Sequence, residues 1–120
     1  MRPARGLIRP EDIATMRANH VRQRPVQGTR QEIDFEPVVR LYLPFSACCW
    51  LLSEMVTPEI AFGLCDLGMG FPELGSVYLP ELEELRVQGL RVLQDVDFKP
   101  RMTISRYAEE ARRRGGIIID

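Results

Sequence analysis

The sequence predicts an α+β fold: a mainly antiparallel sheet of four to five strands with about three helices packed on one side. Three observations carry this reading. Four short apolar runs follow one another between residues 37 and 79, separated by gaps of hairpin length. Both ends of the chain place apolar residues at helical spacing. Between sheet and C-terminal helix, Pro80 is followed by Glu81, Glu83 and Glu84, the mark of a short helix start.

The first element starts at Pro10, since proline suits the first helical position and Glu11 and Asp12 face the positive end of the dipole. Ile8 stands where it can staple onto Ile13. Arg9 is a poor N-cap. Ile13, Met16 and Ala14 supply the apolar stripe, and Asn19 is the expected left-handed stop. From residue 20 to 36 no period survives; with Pro25 and Gly28 it reads as a linker or mobile loop between the N-terminal helix region (1–20) and an α+β body (37–120) of one domain.

Val39, Leu41 and Leu43 alternate with Val38, Arg40 and Tyr42, a half-buried strand. Residues 47–53 (ACCWLLS) are apolar on both faces, as a central strand requires, and make Trp50 a core residue. Residues 60–67 (IAFGLCDL) form a third strand, in which Gly63 marks a bulge or a close contact. Residues 74–79 (LGSVYL) form a fourth. Leu82 and Leu85 of the short helix point inward and Gly89 closes it. Leu90, Val92, Val96 and Phe98 suggest a fifth strand, ended by Lys99 and Pro100. The last helix begins at Thr103 or Ser105 and runs to 113, burying Ile104, Tyr107, Ala108 and Ala111. Glu109 with Arg113 and Glu110 with Arg114 form i,i+4 pairs. Gly115 and Gly116 stop it, and residues 117–119 are an apolar tail that needs a surface to pack on.

The 120 residues carry 16 basic and 17 acidic side chains, a net charge of −1. That sum hides a division: net +5 over residues 1–30, −8 over 31–100 and +2 over 101–120. The basic ends flank an acidic body. A single histidine, His20, excludes a site of several imidazole ligands within one chain. Any Ser-His or Cys-His pair would have to use it, in a segment read as lying outside the core. Cys48, Cys49 and Cys65 form no CxxC, and read as small apolar thiols of a reducing compartment. With no run long enough to span a membrane and no signal-peptide core, the chain is expected in the cytoplasm.

Among motifs, the glycine-rich stretch 63–75 (GLCDLGMGFPELG) lacks the strand-to-helix context of a phosphate loop, and no cofactor is expected. Glu54, Asp66, Glu73, Asp95 and Asp97 offer oxygen ligands for a divalent metal if the fold gathers them. Asp95 and Asp97 share a strand face ~7 Å apart, a spacing equally natural on a solvated surface. Arg17, Arg22, Arg24 and Arg30 cluster in and after the first helix, and Arg112, Arg113 and Arg114 end the last. These seven form a candidate interaction surface for phosphates or an acidic partner, although the last three also complement a helix dipole. No aromatic residues interleave them, which disfavours a stacking platform for single strands.

Several runs together resemble an uncharacterised bacterial family, domain of unknown function 2958. They are PVVRLYLP at 37–44, WLLSE at 50–54, IAFGLCDLGMGFPELGSVYL at 60–79, PELEE at 80–84, DVDFKP at 95–100 and SRYAE at 105–109. The resemblance spans residues 7–120. It departs from the family pattern at Pro80, where a serine is usual, and segment 20–36 varies in length among members. It implies a small stand-alone protein carried by chromosomes, plasmids and conjugative elements, often near antirestriction or DNA-handling genes. It brings no catalytic residues. The leading expectation is therefore a non-enzymatic accessory module acting through a protein partner or self-association. A nucleic-acid-contacting module using the arginine-rich ends, and a metal-dependent hydrolase using Asp66, Glu73, Asp95 and Asp97, are the alternatives.

Overall fold

The run CWLLSEM becomes β2 (Cys49–Met55), the central strand, with every residue buried. In the computed structural model, which describes residues 6–119, β2 lies between β1 (Val39–Tyr42) and β3 (Ile60–Asp66), both antiparallel to it. β4 (Glu73–Tyr78) pairs with β3 and ends the sheet on that side. A short strand numbered β7 (Leu93–Gln94) pairs with β1 and ends it on the other, giving the order β4-β3-β2-β1-β7. The helices are α1 (Pro10–Gln23), α2 (Leu79–Glu84) and α3 (Ile104–Arg114). The α+β class and the mainly antiparallel sheet stand as expected.

Successive residues of a strand face opposite sides, and β2 feeds two separate cores. Trp50 and Leu52 pack with Val39, Leu41, Met16 of α1, and Leu79 and Leu82 of α2. Cys49 and Leu51 pack with Leu64 and with Ile104, Tyr107, Ala108 and Ala111 of α3. The expectation of helices on one side is thus corrected: α1 and α2 cover one face and α3 the other. The cause is β2 itself, apolar at every position but Ser53 and Glu54, so that both faces demand cover. The apolar tail finds its surface here too, Ile117 and Ile119 packing against the α3-side core.

Between Leu52 and Glu54 the pairing register shifts, making Ser53 the extra residue of a β-bulge. Without it, strict alternation would turn Glu54 to the Trp50 face. With it, Glu54 stands opposite Phe62 on the α3 side, and Met55 returns to the α1-side core opposite Ala61.

Three expected boundaries move. α1 does not stop at Asn19 but runs to Gln23, so the segment expected as a linker from residue 20 begins inside the helix and continues as a 3₁₀ turn at Arg24–Val26. Asn19 Nδ2 donates to the Ser53 carbonyl (3.0 Å), and the last turn is held by partners described below. Gly89 closes a hairpin rather than a helix. β5 (Arg86–Val87) and β6 (Leu90–Arg91) are joined by Gln88 and Gly89, both at positive φ (52° and 82°), as a two-residue primed turn requires. The fifth strand therefore divides: Leu90 and Arg91 belong to this hairpin, and only Leu93 and Gln94 reach the sheet edge.

α3 has no side-chain cap of its own at Thr103. Asp34 supplies it from outside, accepting from Ser105 N (3.1 Å) and from the Ser105 hydroxyl. Partial burial disfavours the Asp34 charge, but the hydrogen bonds from Ser105 and Thr103 outweigh it and hold the carboxyl below its ordinary 3.8. A carboxyl depressed in the folded state stabilises it fully above the unfolded pKa, and that contribution drains away as pH falls through the folded value. Asp34→Asn is accordingly expected to lower stability at neutral pH and to flatten its dependence on acid below about pH 4. Urea midpoints measured from pH 6 down to pH 3 check this; parallel profiles for the two proteins would contradict it.

Candidate functional site

The two ends of β2 carry different chemistry. At the Glu54 end a cleft of about 620 Å³ opens on the α3 side of the sheet. Its floor includes Phe62 of β3 with Leu74 and Ser76 of β4; its walls come from the end of α1, residues 32–35 and the start of α3. The bulge delivers Glu54 into it. This carboxylate is 5% exposed, and its Oε1 lies 3.0 Å from Nδ1 of His20. Gln23 Nε2 approaches Oε2 at 3.4 Å and also donates to the Ile33 carbonyl at 2.8 Å. Gln23 Oε1 accepts from Ile33 N at 2.9 Å, so the amide is clamped at both ends. These bonds are why α1 outruns Asn19. They also overturn the placement of His20 outside the core: its side chain is 15% exposed and belongs to the cleft wall. The sequence signal was slender, a lone glutamate ending an otherwise apolar strand.

At the Cys49 end the β1–β2 and β3–β4 loops lie side by side. Cys48 Sγ approaches the Leu67 carbonyl at 3.6 Å, and Gly68 packs against Ala47. They carry Phe45 (96% exposed), Phe71 (79%), Met69 (69%) and Leu67 (52%). Phe45 holds a φ of 59°, uncommon for a bulky residue, with its ring in solvent. Gly68 and Gly70 have positive φ, and their loop leads into strand β4, the wrong context for a phosphate loop. Beneath it, burial pushes the Cys49 thiol up to about 11, which keeps it protonated and unreactive at neutral pH.

The five acids do not converge. Asp66 stands opposite Cys49, five residues along β2 from Glu54, or about 16 Å at ordinary strand rise. Asp95 follows β7, three strand spacings from β3, or about 14 Å, and is paired with Arg40 at 3.0 Å. Glu73 is exposed, opposite Cys65, and Asp97 N donates to Asp95 Oδ1 within one turn. Among the described residues no group of three His, Cys, Asp or Glu side chains is placed to hold a metal ion. The hydrolase alternative loses the ligand set on which it rested.

The arginines separate as well. Arg17, Arg22, Arg24 and Arg30 are exposed on and after α1, Arg22 lying over the Phe35 ring at 5.3 Å. Arg112, Arg113 and Arg114 are exposed at the other end of the sheet, where the chain after α3 meets Asp66. Arg113 and Arg114 pair with Glu110, while Arg112 lies beside the loop residues Gly70–Glu73. The seven thus form two surfaces.

A family model described as "Protein of unknown function (DUF2958)" matches residues 7–118. The chain belongs to the DUF2958 family. No curated protein and no solved structure matches it. In this DUF2958 chain the matched span takes in both ends of β2, the cleft and the apolar loops alike. No helix among the described residues is long and apolar enough to cross a membrane.

Proposed function

We propose that this DUF2958 protein is a non-enzymatic interaction module, and that the loop end of its sheet docks an apolar, acid-rimmed surface of a protein partner or of a second copy. The carrying observation is the set of four large apolar side chains, Phe45, Leu67, Met69 and Phe71, half to almost fully exposed on two adjacent loops. Each aromatic ring that such a surface buries contributes on the order of 2–3 kcal/mol. Arg112 beside the loop favours a partner with carboxylates at its rim. An accessory role in bacterial mobile elements is part of this reading and draws on the family resemblance rather than on geometry.

The nucleic-acid reading keeps one supporting observation: Arg17, Arg24 and Arg30 make no ion pair with another described residue. Salt separates the two readings, since phosphate contacts weaken steeply with ionic strength and apolar docking does not.

The test is a triple variant, Phe45→Ser, Met69→Ser and Phe71→Ser, set against Arg17→Ala, Arg22→Ala, Arg24→Ala and Arg30→Ala combined. Sedimentation from micromolar to millimolar concentration and affinity capture from the source cell should show salt-resistant association. The serine variant should abolish it and the arginine variant should spare it. Strictly monomeric behaviour, with the same captured proteins for wild type and serine variant, would sink the proposal.

A further inference from the structure

At the other end of β2, independent of the loop tips, the cleft is shaped for a small ligand. We propose that it binds an organic cation, a flat apolar body bearing an amidinium or guanidinium group, with the His20–Glu54 pair as the recognising element.

A carboxylate only accepts, so Nδ1 of His20, 3.0 Å from Glu54 Oε1, carries its proton toward Glu54. In a neutral ring this contact corresponds to the Nδ1–H tautomer, in which Nε2 is an acceptor. Among the described residues Nε2 has no hydrogen-bond partner, although the side chain lines the cleft and is mostly buried. An acceptor on a residue that lines a cavity is a place for a donor.

The pair is also pre-organised. Gln23 is locked to both backbone groups of Ile33 and reaches Glu54 with its amide, so the carboxylate cannot turn away from the ring. Holding the acceptor in place before the ligand arrives removes an ordering cost from binding.

The lining selects the rest of the ligand. Phe62 and Leu74 give an apolar floor for a flat body, and about 620 Å³ lies within the range of small-molecule sites. Glu32, Asp34 and Glu54 contribute negative charge to the lining and no lysine or arginine among the described residues lines it, so the cleft favours a cation over an anion of the same shape. Asp34 is held ionised by the start of α3. A fork of N–H donors on a planar cation answers an imidazole nitrogen beside carboxylates better than a single hydroxyl would. Such a group arrives either as a free arylamidine or as an arginine side chain of a peptide.

Titration with benzamidine, benzamide, benzoate and blocked arginine (N-acetylarginine amide), followed by amide chemical shifts, tests the proposal. Benzamidine should saturate, moving Phe62, Leu74 and Ser76; benzamide should bind at least about tenfold more weakly and benzoate not at all. Tighter binding of blocked arginine than of benzamidine assigns the cation to a peptide, the reverse order to a free ligand, and both support the site. Glu54→Gln should weaken benzamidine about tenfold or more. Because that change touches a buried pair, Ser76→Tyr serves as a second variant: Ser76 is exposed on β4 opposite Phe62, and a tyrosine there fills the cleft without disturbing the pair. Benzoate binding as well as benzamidine, no saturable binding by any cation, or benzamidine binding within about twofold of wild type in both variants would overturn it.

Discussion

Gly63→Ala is expected to destabilise the fold by about 3 kcal/mol or more, while Gly75→Ala, one strand away, changes stability by less than about 1 kcal/mol. The two glycines are cross-strand partners on β3 and β4. A Cβ on Gly63 would lie 2.0 Å from the Leu51 carbonyl oxygen and 2.8 Å from the Leu52 Cα. Both are backbone atoms of the central strand, just before the bulge at Ser53, so no side chain can swing aside to make room. Relief requires β2 and β3 to part, at the cost of ladder hydrogen bonds between them. A Cβ on Gly75 meets nothing within 4 Å, and alanine there removes backbone freedom from the unfolded chain. Urea unfolding of the three proteins, compared at equal slope, measures the difference. Equal midpoints for the two variants would refute the close approach of β2 and β3.

The second large effect is expected at Asp66, which is 3% exposed and joins three parts of the chain. Its Oδ1 accepts from Gly68 N (2.8 Å) and its Oδ2 from Ile117 N (2.9 Å), tying the end of β3 to the β3–β4 loop and to the segment after α3. Asp66→Ala leaves two part-buried N–H groups without their acceptor. At about 1–3 kcal/mol for each unsatisfied group, the expected loss is about 2–6 kcal/mol. Asp66→Asn keeps one acceptor and should lose about half as much. A general loss of packing would raise hydrogen exchange everywhere, whereas this mechanism raises it first at Gly68 and Ile117. The same loop presents Met69 and Phe71, so loosening it should also weaken the proposed docking. Unchanged exchange at both amides would show that Asp66 does not tie the loop.

Much of the fold could be read locally. Alternation at Val39 to Leu43, the two-sided apolar run around Trp50, and Pro80 with its glutamates each describe a residue's own neighbourhood, and strand or helix follows from it. Tyr107, Ala108 and Ala111 fell on one helix face for the same reason, and Gly63 announced a close contact without naming the other party. The candidate cleft was much less legible. His20 and Glu54 are 34 residues apart, and nothing in either local pattern pairs them. The arginines were visible in sequence but not their separation to opposite ends of the sheet, and the five acids were visible but not their dispersal.

The sequence by itself determined the class of fold, the succession of its first four strands along the chain, the core position of Trp50 and the division of charge, because each depends on the spacing of apolar, charged and turn-forming residues. The tertiary structure alone decided which face each helix covers, that Ser53 is an extra residue in its strand, and that Glu54 meets His20 beneath α3. A one-residue shift of register reverses every later side chain of a strand. Which residue absorbs that shift depends on the packing of both faces at once, and no local pattern contains it.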